Sequence, residues 1–433
     1  MSRISQHLCS AAATCLLLIG TVAAQSSSGA ESAAMTERVQ QLEKELAELK
    51  GEIAAMKSAN TNPPATAVTS NLVAGAAADS SAKPSTLGSI LGPTSLSGFV
   101  DVYYGQNFNN PATRQNGLQF FNGAANQFGL NLIELVVDKA PDPSNSRTGY
   151  HLAFGYGQAM NAIYGASSTG TLSADQYVKE AYFSYLAPVG KGLQVDVGKF
   201  VTPAGAEVIE TKDNINYSRG ILFSYAIPYY HFGMRAKYAF NDKYSLTGYF
   251  VNGWNTVIDN NTGKTYGMSF GWTPNKKFSL TQNYLAGPET ANLNHDWRQL
   301  SDTVVTVNAT KRLTLMGNYD YGFGDHMPNV VNTVYWTGFA GYFKYALSDK
   351  YSIASRYEYY NDHYGFTTGA PGHIQEITGT FEHPFATHIL SRLEFRHDMA
   401  NNPIFLKGST PVEQQTTLTA GMVFLFDTRE GSK

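Results

Sequence analysis

The residues best placed to do chemistry are charged ones recurring at every second position. Arg392, Glu394 and Arg396 alternate with Leu393 and Phe395, and the same phase places Arg235 with Lys237, Arg356 with Glu358, and Glu376 on one face of their segments. On a β-strand, successive side chains point to opposite faces, so each segment presents a charged face and an apolar one. Charges cost little toward a wet interior and much toward lipid, so the phase predicts a hydrated lumen wall suited to sorting ions or solutes. A ladder of cross-strand ion pairs that merely satisfies the wall accounts for the same residues equally well.

A second set lies between Thr202 and Pro228, where Glu207, Glu210, Lys212, Asp213 and Arg219 mix with Ile209, Ile221, Leu222, Phe223 and Tyr225. A solvated loop would not carry so many apolar groups, so something must bury them. Covalent catalysis finds no footing. His151, His231, His295, His326 and His363 are scattered without a nucleophile–base motif, and His383 and His388 flank an expected turn. The run Asp259–Gly263 lacks the terminal Glu of a calcium loop. No enzyme activity, cofactor or metal is expected.

The elements that must position these residues follow from the same alternation, which runs from Leu96 to Phe426. Leu193, Val195 and Val197 against Gln194, Asp196 and Gly198 is one example. Sixteen such segments start near Ser97, Gln127, Arg147, Tyr177, Gly192, Tyr229, Lys243, Lys264, Lys277, Trp297, Arg312, Asn332, Tyr351, His373, Thr387 and Thr416. Their connections alternate short and long, the last short one being His383–Ala386. That is the signature of an all-β, transmembrane, antiparallel up-and-down β-barrel with both chain ends on the periplasmic side. Fourteen or eighteen strands also fit, and Trp297–Asn308 alternates least clearly. Sixteen strands enclose an aqueous channel. In the second segment Gln127, Gly129 and Asn131 share one parity while Glu134 takes the other, which requires a β-bulge or a misplaced strand.

The chain of 433 residues carries a net charge of −3 and no basic stretch, which argues against nucleic-acid binding. Residues 1–24 read as a secretory signal, and both cysteines, Cys9 and Cys15, lie within it. In 35–57, Val39, Leu42, Leu46, Leu49, Ile53 and Met56 form the seam of a short α-helical coiled coil. An Ala/Ser/Thr/Pro-rich linker follows at 58–95, then the barrel at 96–427 and a tail at 428–433. No later apolar run is long enough for a spanning helix, so a closed barrel is the remaining way to cross a membrane. Gly421, Phe424 and Phe426 resemble the terminal signal read by the barrel assembly machinery, although the chain continues past the final aromatic.

The stretches SGFVDVYYGQNFN, AYFSYLAPVGKGLQVDVGKFVTPAGAEVIETKDN, FSYAIPYYHFGMRAKY and TGYFVNGWN resemble the β-barrel porin-2 (OmpL-like) family over Leu96–Asp427. The resemblance implies an outer-membrane porin of a Gram-negative-type bacterium and supplies no substrate. In sixteen-stranded porins the loop after the fifth strand folds inward and forms the constriction. Transferred here, Glu207, Glu210 and Asp213 would face Arg235 or Arg392 across the narrowest point. The expected function is passive diffusion of small hydrophilic solutes or ions through a homo-trimer in outer-membrane lipid. Two alternatives stand beside it. One is an envelope anchor that contacts peptidoglycan or a periplasmic partner through the coiled coil. The other is a sugar- or anion-specific channel, with Tyr103, Tyr182 and Tyr249 as stacking surfaces.

Overall fold

The computed structural model describes residues 44, 92, 94–165, 175–324 and 333–428. Two units divide at Ala82 and Lys83. In the first, only the helical, exposed Lys44 is described. The expected secretory signal and coiled-coil seam, most of the linker, and residues 429–433 of the tail lie outside the described residues.

In the second unit, residues of alternating polarity pair into β1 (Ser95–Asn107), β2 (Gln127–Lys139), β3 (Thr148–Tyr156), β4 (Val178–Ala187), β5 (Leu193–Val201), β6 (Tyr230–Ala239), β7 (Tyr244–Val251) and β8 (Thr265–Asn275). The run continues through β9 (Phe278–Pro288), β10 (Trp297–Asn308), β11 (Leu313–Gly324), β12 (Val334–Ala346), β13 (Ser352–Asp362), β14 (Gly372–Ala386) and β15 (Ile389–Ala400). A separate hairpin, β16 (Phe405–Lys407) and β17 (Thr410–Val412), precedes β18 (Gln414–Asp427). Every strand pairs antiparallel with its neighbours, the hairpin forms its own two-stranded sheet, and β18 closes on β1, giving a barrel of sixteen strands. Closure removes all strand edges, which hydrocarbon would otherwise leave without hydrogen-bond partners. Each expected strand start falls within two residues of an observed one.

Turns at one end of the barrel are short, such as 240–243 and 276–277, and the loops at the other end, such as 108–126, 157–177 and 202–229, are long. Ser95 and Asp427 both lie at the short-turn end, paired through β1 with β2 and β18. The turn expected at His383–Ala386 is shifted. β14 runs to Ala386 through an irregularity after Pro384, which leaves only 387–388 to reverse the chain.

The apolar faces point outward. On β14, β15 and β18, Ile377, Phe381, Leu393, Phe395, Met422 and Phe424 are exposed, while Thr378, Thr380, Glu394, Arg396, Thr417 and Thr419 are buried. This inversion of a water-soluble barrel suits a lipid surround. The parity conflict in β2 resolves as a bulge: Asp101 pairs with Leu132 and Val102 with Leu130, so Asn131 is an extra residue and both Asn131 and Leu132 turn inward. Inside the barrel, Phe99, Phe121, Leu132, Ile221, Leu222, Tyr230, Trp336 and Tyr360 pack into one core. Much of that core comes from long loops, including the helix α1 (Gln158–Gly165), whose Met160 and Ile163 are buried.

Candidate functional site

Residues 202–229 leave β5, return to β6 and hydrogen-bond to side chains of β13, β14 and β15. Because β6 and β14 lie eight places apart in a ring of sixteen strands, the loop crosses the lumen. Irregular backbone inside a barrel has many N–H and C=O groups with no ladder to join, and each left unpaired is costly. The charged wall meets this need. Glu394 accepts the N–H groups of Tyr217 (2.5 Å) and Ser218 (2.9 Å), and Glu358 accepts those of Ile221 (2.5 Å) and Leu222 (3.3 Å).

Arginines hold the loop's carbonyls. Arg392 donates to the oxygens of Thr211 (2.5 Å), Asn214 (2.7 Å) and Asn216 (3.2 Å). Arg356 donates to Ser218 O at 2.6 Å, and Arg396 to Arg219 O at 2.7 Å. The charges also balance one another: Arg356 pairs with Glu207 and Glu376 at 2.6 Å each, and Arg396 pairs with Glu376 at 3.4 Å and Asp398 at 2.8 Å. Such buried networks hold firmly only when every member is satisfied, which here requires the loop.

The loop's own polar residues complete the fastening. Thr211 Oγ1 and Tyr217 OH donate to Asp101 of β1 at 2.5 and 2.8 Å. Arg219 donates to Ile209 O and Thr211 Oγ1, and lies 4.8 Å from the centre of the Phe121 ring. Burial pulls the Arg219 guanidinium below its ordinary pKa, against Asp101, Tyr217, Glu207 and Glu394, which raise it. Close approach is possible at Gly220, where a Cβ would sit 2.2 Å from Glu358 Oε1, and at Gly421, where one would sit 2.2 Å from the Tyr217 ring. The apolar stretch Leu222–Ala226 forms a π-helical turn, capped when Trp336 Nε1 donates to Ala226 O at 3.0 Å.

These partners differ from the ones expected. Glu207 is bonded to Arg356, Glu210 to Lys179 of β4, and Asp213 to its neighbour Lys212. Arg392 is spent on loop carbonyls, and Arg235 is bonded to Asp196 at 2.7 Å. The loop carboxylates therefore do not face Arg235 or Arg392 across an opening. Arg356, Glu358, Glu376, Arg392, Glu394 and Arg396 do point inward, yet all are buried rather than bathed in channel water. Of the wall residues singled out, Arg235 (20% exposed side chain) and the exposed Lys237 remain open.

Those two line a cavity of about 380 Å³ against the wall formed by β4 to β9, with Gln194, Asp196, Ser245 and Thr247. Tyr182 and Tyr249 line it too, while Tyr103 uses its hydroxyl to fix the loops, accepting Ala124 N–H at 3.0 Å and donating to Gln158 at 2.5 Å. Phe424 and Phe426 face outward, and Gly421 lies inward beneath Tyr217. Asp101 and Lys179 went unselected in the sequence. The available signal for Asp101 was its parity with Phe99 and Tyr103, since all three are buried on one face of β1.

A family model described as "Putative beta-barrel porin-2, OmpL-like" matches residues 93–426. Comparison with curated proteins gives no match. Among solved structures, an anion-selective porin from Comamonas acidovorans aligns with a TM-score of 0.54 at 10% identity, covering 77% of this chain and 99% of that one. Outer-membrane expressed OmpT of Vibrio cholerae aligns with a TM-score of 0.51 at 12% identity, covering 77% of this chain and 97% of that one. At such identities the likeness is one of fold.

Proposed function

The chain belongs to the "Putative beta-barrel porin-2, OmpL-like" family of outer-membrane porins, and from that premise we propose that it is a diffusion channel for small hydrophilic solutes or ions whose constriction is the loop 202–228. The observation that carries the reading is the loop's course: it crosses a lumen of sixteen strands and is fastened to the far wall. Passage then runs along the wall of β4 to β9, past Arg235 and Lys237. Asp196 is already matched by Arg235, so Lys237 leaves that wall with surplus positive charge, which favours anions. The channel carries out no covalent chemistry in this reading. The protein is further proposed to be a homo-trimer, with chain ends and coiled coil in the periplasm and insertion by the barrel assembly machinery.

Single-channel recording in planar bilayers under a salt gradient tests this. Stepwise conductance with a reversal potential on the anion side, moved toward cations by Lys237→Glu, is the expected result. An inserted barrel that never conducts overturns the channel reading in favour of an anchor, and conductance indifferent to Lys237→Glu overturns the proposed path.

A further inference from the structure

At the long-loop end, a second cavity of about 500 Å³ lies where β10 and β12 begin, within the size range of small-molecule sites. Six aromatic side chains line it: Phe120, Tyr225, Tyr229, Trp254, Trp336 and Phe366. Their rings are fixed against one another, with Trp336 edge-on to Trp254 at 6.2 Å and stacked on Phe366 at 5.5 Å. Into this apolar surround comes Arg298, its guanidinium carbon 5.1 Å from the Trp254 ring centre and 4.9 Å from that of Phe366.

Two charged or hydroxyl-bearing side chains lining this cavity each keep a buried polar atom with no hydrogen-bond partner among the described residues. One is Arg298 Nε, a buried charged donor. The other is the hydroxyl of Ser224, a residue only 6% exposed. Leaving such donors unmatched is expensive, and the aromatic lining offers water few partners, so an acceptor brought by a ligand fits the site. Some of the remaining polar groups are already engaged. Asn255 Oδ1 accepts the N–H groups of Tyr229 (2.6 Å) and Tyr230 (3.2 Å), and Thr367 Oγ1 is bonded to Tyr360 and Asp362. A neutral sugar would bring no counter-charge to Arg298. A flat apolar body with one negative charge is well served.

We propose that this cavity binds small aromatic carboxylates, with Arg298 and Ser224 taking the carboxylate and Trp254, Trp336 and Phe366 taking the ring. The nearby acid does not pre-empt the site. Glu289 is itself bonded by Trp254 N–H (2.8 Å) and Thr265 Oγ1 (2.6 Å), and burial pushes its carboxyl up to about 7 against the pull of Arg298. Near neutrality it is therefore only part-ionised and leaves much of the Arg298 charge for a ligand.

The test is calorimetric titration of the full-length protein in detergent with benzoate, benzamide, acetate and glucose, alongside Arg298→Met, Arg298→Lys, Ser224→Ala and, as a control, Lys311→Gln in the exposed turn at the opposite end of β10. Benzoate binds saturably. Benzamide and acetate bind at least about tenfold more weakly, and Arg298→Met weakens benzoate by about tenfold or more, the scale of one lost charge-assisted hydrogen bond. Arg298→Lys loses less, Ser224→Ala weakens binding measurably, and Lys311→Gln leaves it unchanged. Absence of benzoate binding, equal binding of benzamide or glucose, or unaltered binding by Arg298→Met overturns the proposal. Should Arg298→Met fail to fold, the probe series and Ser224→Ala decide it. Because binding is read without conduction, a barrel that binds benzoate but passes no current defeats the diffusion reading alone.

Discussion

Replacing Glu394 with Ala tests what holds the loop across the lumen. The carboxylate accepts two loop N–H groups, of Tyr217 and Ser218, and the Thr380 hydroxyl at 2.7 Å, all in a buried setting. Truncation leaves the two backbone donors without an acceptor, at about 1–3 kcal/mol each, so loop docking weakens by about 2–6 kcal/mol. Even the lower figure raises the undocked fraction about thirtyfold. The barrel's strand pairing is untouched, since Glu394 joins Thr380 and Thr419 through main-chain ladders. Two assays read the change. Trypsin reaches Arg219 only when the loop leaves its seat, because that side chain is buried, so nicking there accelerates by the same factor. Single-channel records gain current fluctuations as the loop comes and goes. Glu394→Gln, which keeps one acceptor oxygen, gives a smaller effect in both. Folded Glu394→Ala barrels nicked at the wild-type rate, with equally quiet currents, would refute the claim that wall charges hold the loop through its backbone.

Other expectations follow from the same geometry. Gly421→Val drives a side chain into the Tyr217 ring, where a Cβ alone would lie 2.2 Å away; the yield of assembled, heat-resistant barrel falls, and adding Tyr217→Ala restores part of it. Glu289 has a folded-state pKa near 7 against an ordinary 4.5. A raised carboxyl pKa means that the folded region binds the extra proton, so its stabilising contribution is full below about pH 4.5 and is lost as pH rises through 7. Tryptophan fluorescence, reporting on Trp254 next to Glu289, shifts with a midpoint near 7, and Glu289→Gln abolishes the shift.

The strands were legible because lipid outside and polar groups inside impose a period of two that no soluble fold shares so consistently. The least clear segment, Trp297–Asn308, has a physical reason: Ser301 and Thr303 face outward with Gln282 of β9, which donates to Ser301 Oγ at 3.1 Å and accepts from Thr303 Oγ1 at 2.7 Å. Their amides and hydroxyls are satisfied locally, so the outer face tolerates a polar patch that breaks the apolar pattern. The inward phase of Arg356, Glu358, Arg392, Glu394 and Arg396 was readable for the same reason as the strands. What those charges do was not. Parity places a side chain in the lumen, but whether it meets water or the backbone of residues 209–222 depends on contacts between positions more than a hundred residues apart. The apolar content of 202–228 announced that the loop is buried without naming the wall that buries it.

Tyr217 stands at the joint where the ring closes. Its hydroxyl reaches Asp101 on the first strand and its ring covers Gly421 on the last, while Tyr103 and Gly421 are direct partners across that joint. A residue from the middle of the chain thus works as a latch between its two ends. Sealing the cylinder and seating the loop therefore share contacts, and a closed barrel with the loop outside would have a gap at its seam where the latch belongs.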